Sequence, residues 1–267
     1  MDIKVFATTW GLEYLNYEEQ FKKISEAGYD GVETGRIKPD EINQVLEFLE
    51  KYNLLLICQQ WTEGKTAGAH MESFIRQADI NVRLKPVAIN SHTGKDHFDT
   101  LSNLKILKGI KSYEERSGIP VFHETHRGRF AFASQVTSGY LDIMPKLKLT
   151  ADLSHWCCVA ESYLEDQELR IKDLFKNCHQ IHARIGNTQS PQVNDPQSPE
   201  WEAERNIFLN WWKEILSHEN ETDGIFPITC EFGPFPYMPG IPFSGEPTCS
   251  QWDANMYMKK WLQEDLL

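Results

Sequence analysis

Short apolar runs of strand length alternate along the whole chain with longer stretches whose apolar residues recur at helical spacing. The first strand is expected over Ile3 to Thr8. A helix follows, entered at Asn16, where Glu19 completes a capping box; Phe21, Ile24 and Ala27 form its apolar face and Gly28 its stop. Asp30 to Thr34 reads as a strand, and Pro39 opens a helix carrying Ile42, Val45, Leu46 and Leu49. Leu54 to Gln59 is the third strand, with Met71, Phe74, Ile75, Ala78 and Val82 as the next helical stripe. The rhythm continues with a strand over Val87 to His92, a helix face of Leu101, Leu104, Leu107 and Ile110, and a strand over Ile119 to Glu124. A weaker helix from Ala131 to Met144, interrupted at Gly139, precedes a strand over Leu147 to Leu153. Then come a helix over Leu164 to Phe175 and a strand over His179 to Ile185. Ile207, Phe208, Trp211, Trp212, Ile215 and Leu216 mark an amphipathic helix, Ile225 to Phe232 the eighth strand and Trp252 to Leu262 the last helix.

Alternating β and α units imply a parallel sheet covered by helices, and eight units in a chain of this size predict one closed α/β barrel, a (β/α)8 TIM barrel spanning residues 1–267 as a single domain. An open doubly wound sheet is the alternative. It usually carries a glycine-rich phosphate turn after its first strand, and Thr8-Thr9-Trp10-Gly11 at that place has no such pattern. Two segments are longer than ordinary connections: Gly186 to Glu200 after the seventh strand and Gly233 to Thr248 after the eighth. Both leave C-terminal strand ends, where a barrel builds its active face.

Charge and cysteine content narrow the partners. The chain has 267 residues, 40% of them hydrophobic and 25% charged, which fits a globular protein. Its 27 basic against 39 acidic residues give a net charge of −12, which disfavours nucleic acid and anionic membrane surfaces. The longest purely apolar run, Leu54 to Cys58, is far too short to span a bilayer. The start Met1-Asp2-Ile3-Lys4 has no signal-peptide pattern, so a cytoplasmic location is expected. Six cysteines without any C-x-x-C pair read as reduced core thiols. Asn220-Glu221-Thr222 matches a glycosylation acceptor, an incidental match in a chain without an export signal.

The chemistry concentrates at four strand ends. Glu124 closes Val121-Phe122-His123-Glu124, Asp152 closes Leu149-Thr150-Ala151-Asp152, His182 lies in Gln180-Ile181-His182-Ala183-Arg184, and Glu231 closes Ile228-Thr229-Cys230-Glu231. Each sits in an apolar strand, where an uncompensated charge is costly. A shared divalent cation removes that cost. Three carboxylates and one imidazole suit Mn²⁺ or Mg²⁺ and also accept Co²⁺ or Zn²⁺. A salt bridge at the barrel rim is the bland reading for any one of these residues; the set of four on consecutive strands favours one metal ion.

This arrangement resembles the xylose isomerase-like TIM barrels, among them sugar epimerases, hydroxypyruvate isomerases and endonuclease IV enzymes. The resemblance spans nearly the full length. It implies a metal held by Glu124, Asp152, His182 and Glu231, with Glu124 and Glu231 as an acid and base pair on opposite faces of the substrate. Asp152-Leu153-Ser154-His155 is similar to the D-x-x-H of that family, in which the histidine contacts substrate, and Arg184 matches an arginine two residues after the histidine ligand. The implied reaction is isomerisation or epimerisation of a carbohydrate by proton abstraction next to a carbonyl, through a metal-stabilised enediolate. A hydride shift is the other mechanism within the family. His155 would orient a substrate oxygen, Arg184 would stabilise the oxyanion, and His92, at a position that holds an extra metal in the nuclease branch, would line the pocket.

The chain departs from the better-known epimerases at Glu124-Thr125-His126-Arg127-Gly128-Arg129. That segment brings a histidine and two arginines, whose guanidinium groups suit an acidic sugar or a sugar phosphate, with His126 and Arg127 as the leading candidates and a solvated basic turn as the plain alternative. Trp10, Trp61, Phe98 and Trp156, at or just after strand ends, are candidates for apolar walls that stack on a sugar. Two other functions compete with the isomerase. An endonuclease IV-like phosphodiesterase needs more histidines than the sequence supplies, since Gln59-Gln60 ends the third strand and no Asp-x-His follows His182. A binding protein or a lyase that keeps the metal site is the other. A homo-oligomer is compatible with this reading, since barrels of this kind often pair.

Overall fold

In a computed structural model, which describes residues 2–218 and 224–267, eight parallel strands close into a barrel. The chain runs β1 (Asp2–Thr8), α1 (Tyr17–Glu26), β2 (Gly31–Thr34), α2 (Ile42–Lys51), β3 (Leu55–Trp61), α3 (Ala67–Asn81), β4 (Ala88–His92), α4 (Thr100–Ser117) and β5 (Val121–Glu124). It continues with α5 (Ser134–Ile143), β6 (Lys148–Ala151), α6 (Leu153–Ala160), α7 (Glu168–Phe175), β7 (Cys178–Ala183), α8 (Glu202–Leu216), β8 (Ile225–Cys230) and α9 (Gln251–Asp265). Each strand pairs with its sequence neighbours, and β1 pairs with β8 over Asp2↔Ile225 to Ala7↔Cys230 to close the ring. The expected (β/α)8 barrel is the observed fold.

The core lies mainly between the barrel wall and the helices. Phe21 and Ile24 of α1, Ile106 and Leu107 of α4, and Phe208 and Trp212 of α8 are fully buried there. The capping box at α1 forms as expected: Asn16 Oδ1 accepts from Glu19 N at 3.0 Å, and Glu19 Oε2 accepts from Asn16 N at 3.1 Å. All six cysteines are free thiols. Among the described residues no helix is long and apolar enough to cross a membrane. The Asn220-Glu221-Thr222 acceptor lies outside the described residues.

Three local expectations give way. Pro39 does not open α2, which starts at Ile42 with Glu41 at its N-cap. Gly139 does not interrupt α5: the helix passes through it, and a Cβ there would meet no atom within 4 Å, so the site tolerates the residue without needing it as a break. The strand expected to reach Leu153 ends at Ala151 instead, and Asp152 caps a further helix, α6. Ser154 N donates to Asp152 Oδ1 at 3.2 Å, which fits the preference for Asp at an N-cap.

Candidate active site

The C-terminal ends of the strands open into a cavity of about 740 Å³. Glu124, Glu231, His92, His126 and Arg184 form part of its lining, together with Gln59, Trp10, Trp61, Arg36, Arg129 and Tyr237. The two long segments meet at this mouth. Gly233 N donates to Gln192 Oε1 at 2.8 Å and Gln192 Nε2 donates to Gly233 O at 3.1 Å. Gly233 also lets Trp10 approach, since a Cβ there would lie 2.2 Å from the indole. Trp10 packs edge-on against Tyr237 at 5.0 Å between ring centres, so the segment after β8 supplies one wall of the cavity.

Glu124, Asp152, His182 and Glu231 converge. One ligand atom of each lies within 4.8 Å of the others, and all four residues are buried. His182 Nδ1 is 2.8 Å from Glu231 Oε2 and 3.6 Å from Glu124 Oε2. Burial opposes a charge on His182, but Glu231, Glu33 and Glu124 outweigh it and hold its pKa well above the ordinary imidazole value. Asp152 is bonded to Arg184 Nη2, yet burial, reinforced by Glu231 and Glu124, pushes its pKa up to about 6. The Arg184 guanidinium is itself buried, and Asp152 and Glu231 keep it charged against that burial.

Glu33, Glu124, Asp152 and Glu231 are thus four buried carboxylates set against one guanidinium and the imidazole of His182. A dication fits such a set, because oxygen-rich ligands that repel one another in a dry site are stabilised by a shared positive ion. A second trio, His92, Glu124 and His126, has the same spacing and shares Glu124, with His92 Nε2 at 2.9 Å from Glu124 Oε2.

Several expected residues stand elsewhere. His155 is fully buried behind the cavity wall: its Nε2 accepts from Arg184 Nη2 at 2.9 Å and its ring lies 3.9 Å from that of His126, so it braces these two side chains instead of facing a substrate. Trp156 projects from α6 into the core, where its indole N–H donates to Ala131 O at 2.9 Å; it is no wall of the cavity. Phe98 packs on His70 and His97 outside the lining. Arg127 turns out to solvent, 5.3 Å from the Tyr237 ring, because Gly128, at φ +75°, reverses the chain. Of Arg127 and Arg129, it is Arg129 that lines the cavity, alongside Arg36 and Arg184.

Arg129 belongs to the segment already noted for its two arginines, whereas Glu33 escaped the reading of the sequence. Arg129 Nη1 donates to Thr62 O at 2.9 Å, and its guanidinium forms no salt bridge with any described residue. Glu33 stands one residue before the end of β2, in Gly31-Val32-Glu33-Thr34, as a buried carboxylate in a short strand. The rule that singled out Glu124 applies equally to it.

No family model and no curated protein matches this chain. Solved structures do. D-psicose 3-epimerase from Clostridium cellulolyticum H10 aligns at a TM-score of 0.68 and 11% identity over 98% of this chain and 99% of that one. The probable 3-DHS dehydratase AsbF of Bacillus anthracis aligns at 0.66 and 14% over 97% and 98%. Endonuclease IV from Thermus thermophilus aligns at 0.60 and 12% over 99% and 100%. These neighbours are xylose isomerase-like TIM barrels, and the likeness establishes that this chain has their fold.

Proposed function

We propose that the protein is a divalent-metal-dependent isomerase or epimerase of a carbohydrate, acting by proton abstraction next to a carbonyl. The convergence of Glu124, Asp152, His182 and Glu231 beside an aromatic-walled cavity carries this reading. Structural neighbours that are 3-epimerases add support. The four residues would hold one ion, and Mn²⁺ or Mg²⁺ matches their oxygen-rich set best, with Co²⁺ and Zn²⁺ also accepted. Such an ion supplies Lewis acidity at the carbonyl oxygen and offsets the negative charge that grows when the neighbouring proton leaves.

The protein's own groups do the rest. Glu124 and Glu231 both line the cavity, so one, ionised, would take the proton and the other, entering the step protonated, would deliver its own proton on the opposite face. Arg184 holds Asp152 and spans to Glu231, with Nη1 at 3.6 Å from Glu231 Oε2, which keeps the two carboxylates in register. Trp10 and Trp61 offer flat apolar walls for a sugar ring.

Arg129 favours a substrate that carries a negative charge. A guanidinium in the cavity whose hydrogen bonds, among the described residues, go to the backbone carbonyls of Thr62 and Gly94 suits a carboxylate or phosphate on the substrate. Replacing Arg129 by Met is expected to weaken binding of such an acidic substrate about tenfold or more, leaving neutral sugars unchanged; titration calorimetry with matched neutral and acidic ketoses checks it.

A phosphodiesterase is disfavoured at the end of β3, where the Gln59 amide donates to Glu231 Oε1 at 3.1 Å and no imidazole is present. The function is tested by incubating the Mn²⁺-supplied protein in D₂O with keto sugars, sugar acids and sugar phosphates. Deuterium uptake at the carbon next to the carbonyl is expected for at least one of them; cleavage of abasic DNA without any such exchange contradicts the proposal. Exchange accompanied by loss of water would assign the lyase variant of the same proton chemistry.

A further inference from the structure

Glu33 is a fully engaged buried carboxylate that the proton chemistry does not use. Its Oε1 accepts from Asn90 Nδ2 at 2.9 Å, and its Oε2 accepts from Gln180 Nε2 at 2.7 Å and Thr229 Oγ1 at 2.6 Å. The Gln180 amide is oriented by Thr150, whose hydroxyl donates to Gln180 Oε1 at 3.1 Å. Both Glu33 oxygens also lie 3.2 Å from His182 Nε2. Four strands, β2, β4, β7 and β8, therefore fix one carboxylate against one face of one imidazole.

The two nitrogens of His182 have different surroundings. Nε2 faces Glu33, while Nδ1 faces Glu231 and Glu124. An ionised carboxylate only accepts, so the hydrogen between Glu33 and His182 belongs to Nε2. A neutral ring with its hydrogen there has its lone pair at Nδ1, on the side of the ligand cluster. Asn90 links the two sides, because its Nδ2 donates to Glu33 Oε1 and to Glu124 Oε2, both at 2.9 Å.

We propose that Glu33 is a positioning residue that locks His182 in the Nε2–H form, so that Nδ1 is the nitrogen offered to a divalent cation. The inference rests on the metal-centre reading above. A carboxylate behind a ligating imidazole fixes its tautomer and its plane, and losing such a partner typically costs 10- to 100-fold in metal affinity. A neutral amide at position 33 would keep the bulk that fills the barrel and lose the charge that selects the tautomer.

The test compares wild type, Glu33→Gln and Glu33→Asp by Mn²⁺ titration calorimetry, with circular dichroism to check folding. Glu33→Gln is expected to bind Mn²⁺ about 10- to 100-fold more weakly, and Glu33→Asp, which keeps the charge, is expected to retain more of the affinity. In a His182→Gln background, Glu33→Gln should bring no further loss, whereas additive losses would reduce Glu33 to barrel filling and overturn the proposal. Long-range ¹H–¹⁵N NMR of the wild-type protein saturated with Zn²⁺ reads the tautomer independently of any variant. A proton on His182 Nε2 is expected, and one on Nδ1 overturns the proposal. Equal Mn²⁺ affinity of wild type and Glu33→Gln overturns the assignment of Glu33 alone; a wild type that takes up no Mn²⁺ overturns the metal-centre reading with it.

Discussion

Glu231→Gln is expected to abolish measurable turnover while the barrel stays folded. Glu231 is buried, lies 2.8 Å from His182 Nδ1 through Oε2, and accepts from Gln59 through Oε1. On the proposed function, an amide of the same shape would remove a charged ligand and a proton acceptor together. Loss of a general acid or base alone lowers rates by about 10²- to 10⁴-fold, and weaker metal binding adds to that. Stability should change little, because the substitution takes one negative charge out of a set of four buried carboxylates. Deuterium exchange in D₂O and near-ultraviolet circular dichroism measure the two halves; retained exchange at wild-type rate would remove Glu231 from the chemistry.

Arg184→Met is expected to have the largest effect on folding. Its guanidinium is the partner of Asp152, a hydrogen-bond donor to His155, and the face on which Tyr237 stacks at 4.9 Å. Methionine fills part of the volume and leaves Asp152 buried without its cation. Breaking a buried pair in this way costs about 3–5 kcal/mol. Urea denaturation at pH 7 in the absence of metal should show that loss as a lower midpoint, and an unchanged midpoint would mean that the pair contributes nothing net.

The pH dependence has a definite sign. Burial already lifts the Asp152 carboxyl from the ordinary 3.8 to about 6 in the folded state, with Arg184 present, and removal of Arg184 lifts it further. A carboxyl with a raised folded pKa binds its proton more tightly in the native state, so this group's contribution to stability is present below about 4 and lost as pH rises through 6. The Arg184→Met variant should therefore recover part of its deficit between pH 7 and pH 5, where wild type gains less.

Much of this architecture is legible in the sequence because its physics is local and periodic. Eight apolar runs separated by amphipathic stripes leave a closed parallel barrel as the economical arrangement, and the carboxylates and imidazole at the ends of the later strands are conspicuous because an apolar strand rarely carries them. What failed was direction. Arg127 and Arg129 are equivalent on paper, yet with the left-handed Gly128 between them Arg129 lines the cavity and Arg127 is exposed. Trp156 follows a strand-end motif, yet α6 begins at Leu153 and carries its indole away from the mouth. His155 shares that helix and ends behind His126. Glu33 is a different case: it obeys the strand-end rule as fully as Glu124 does, but its short strand β2 stands far along the chain from the consecutive strands five to eight, and only closure of the barrel brings it to their histidine.

Every step proposed above requires Glu124, Asp152, His182 and Glu231 to form one binding site for one dication. Elemental analysis of protein equilibrated with Mn²⁺ and freed of unbound ion tests it most directly, run beside the Glu231→Gln variant. About one Mn²⁺ per wild-type chain is expected, with a marked loss of retained metal in the variant. Wild-type protein that emerges without metal, or a variant that keeps as much as wild type, would contradict it.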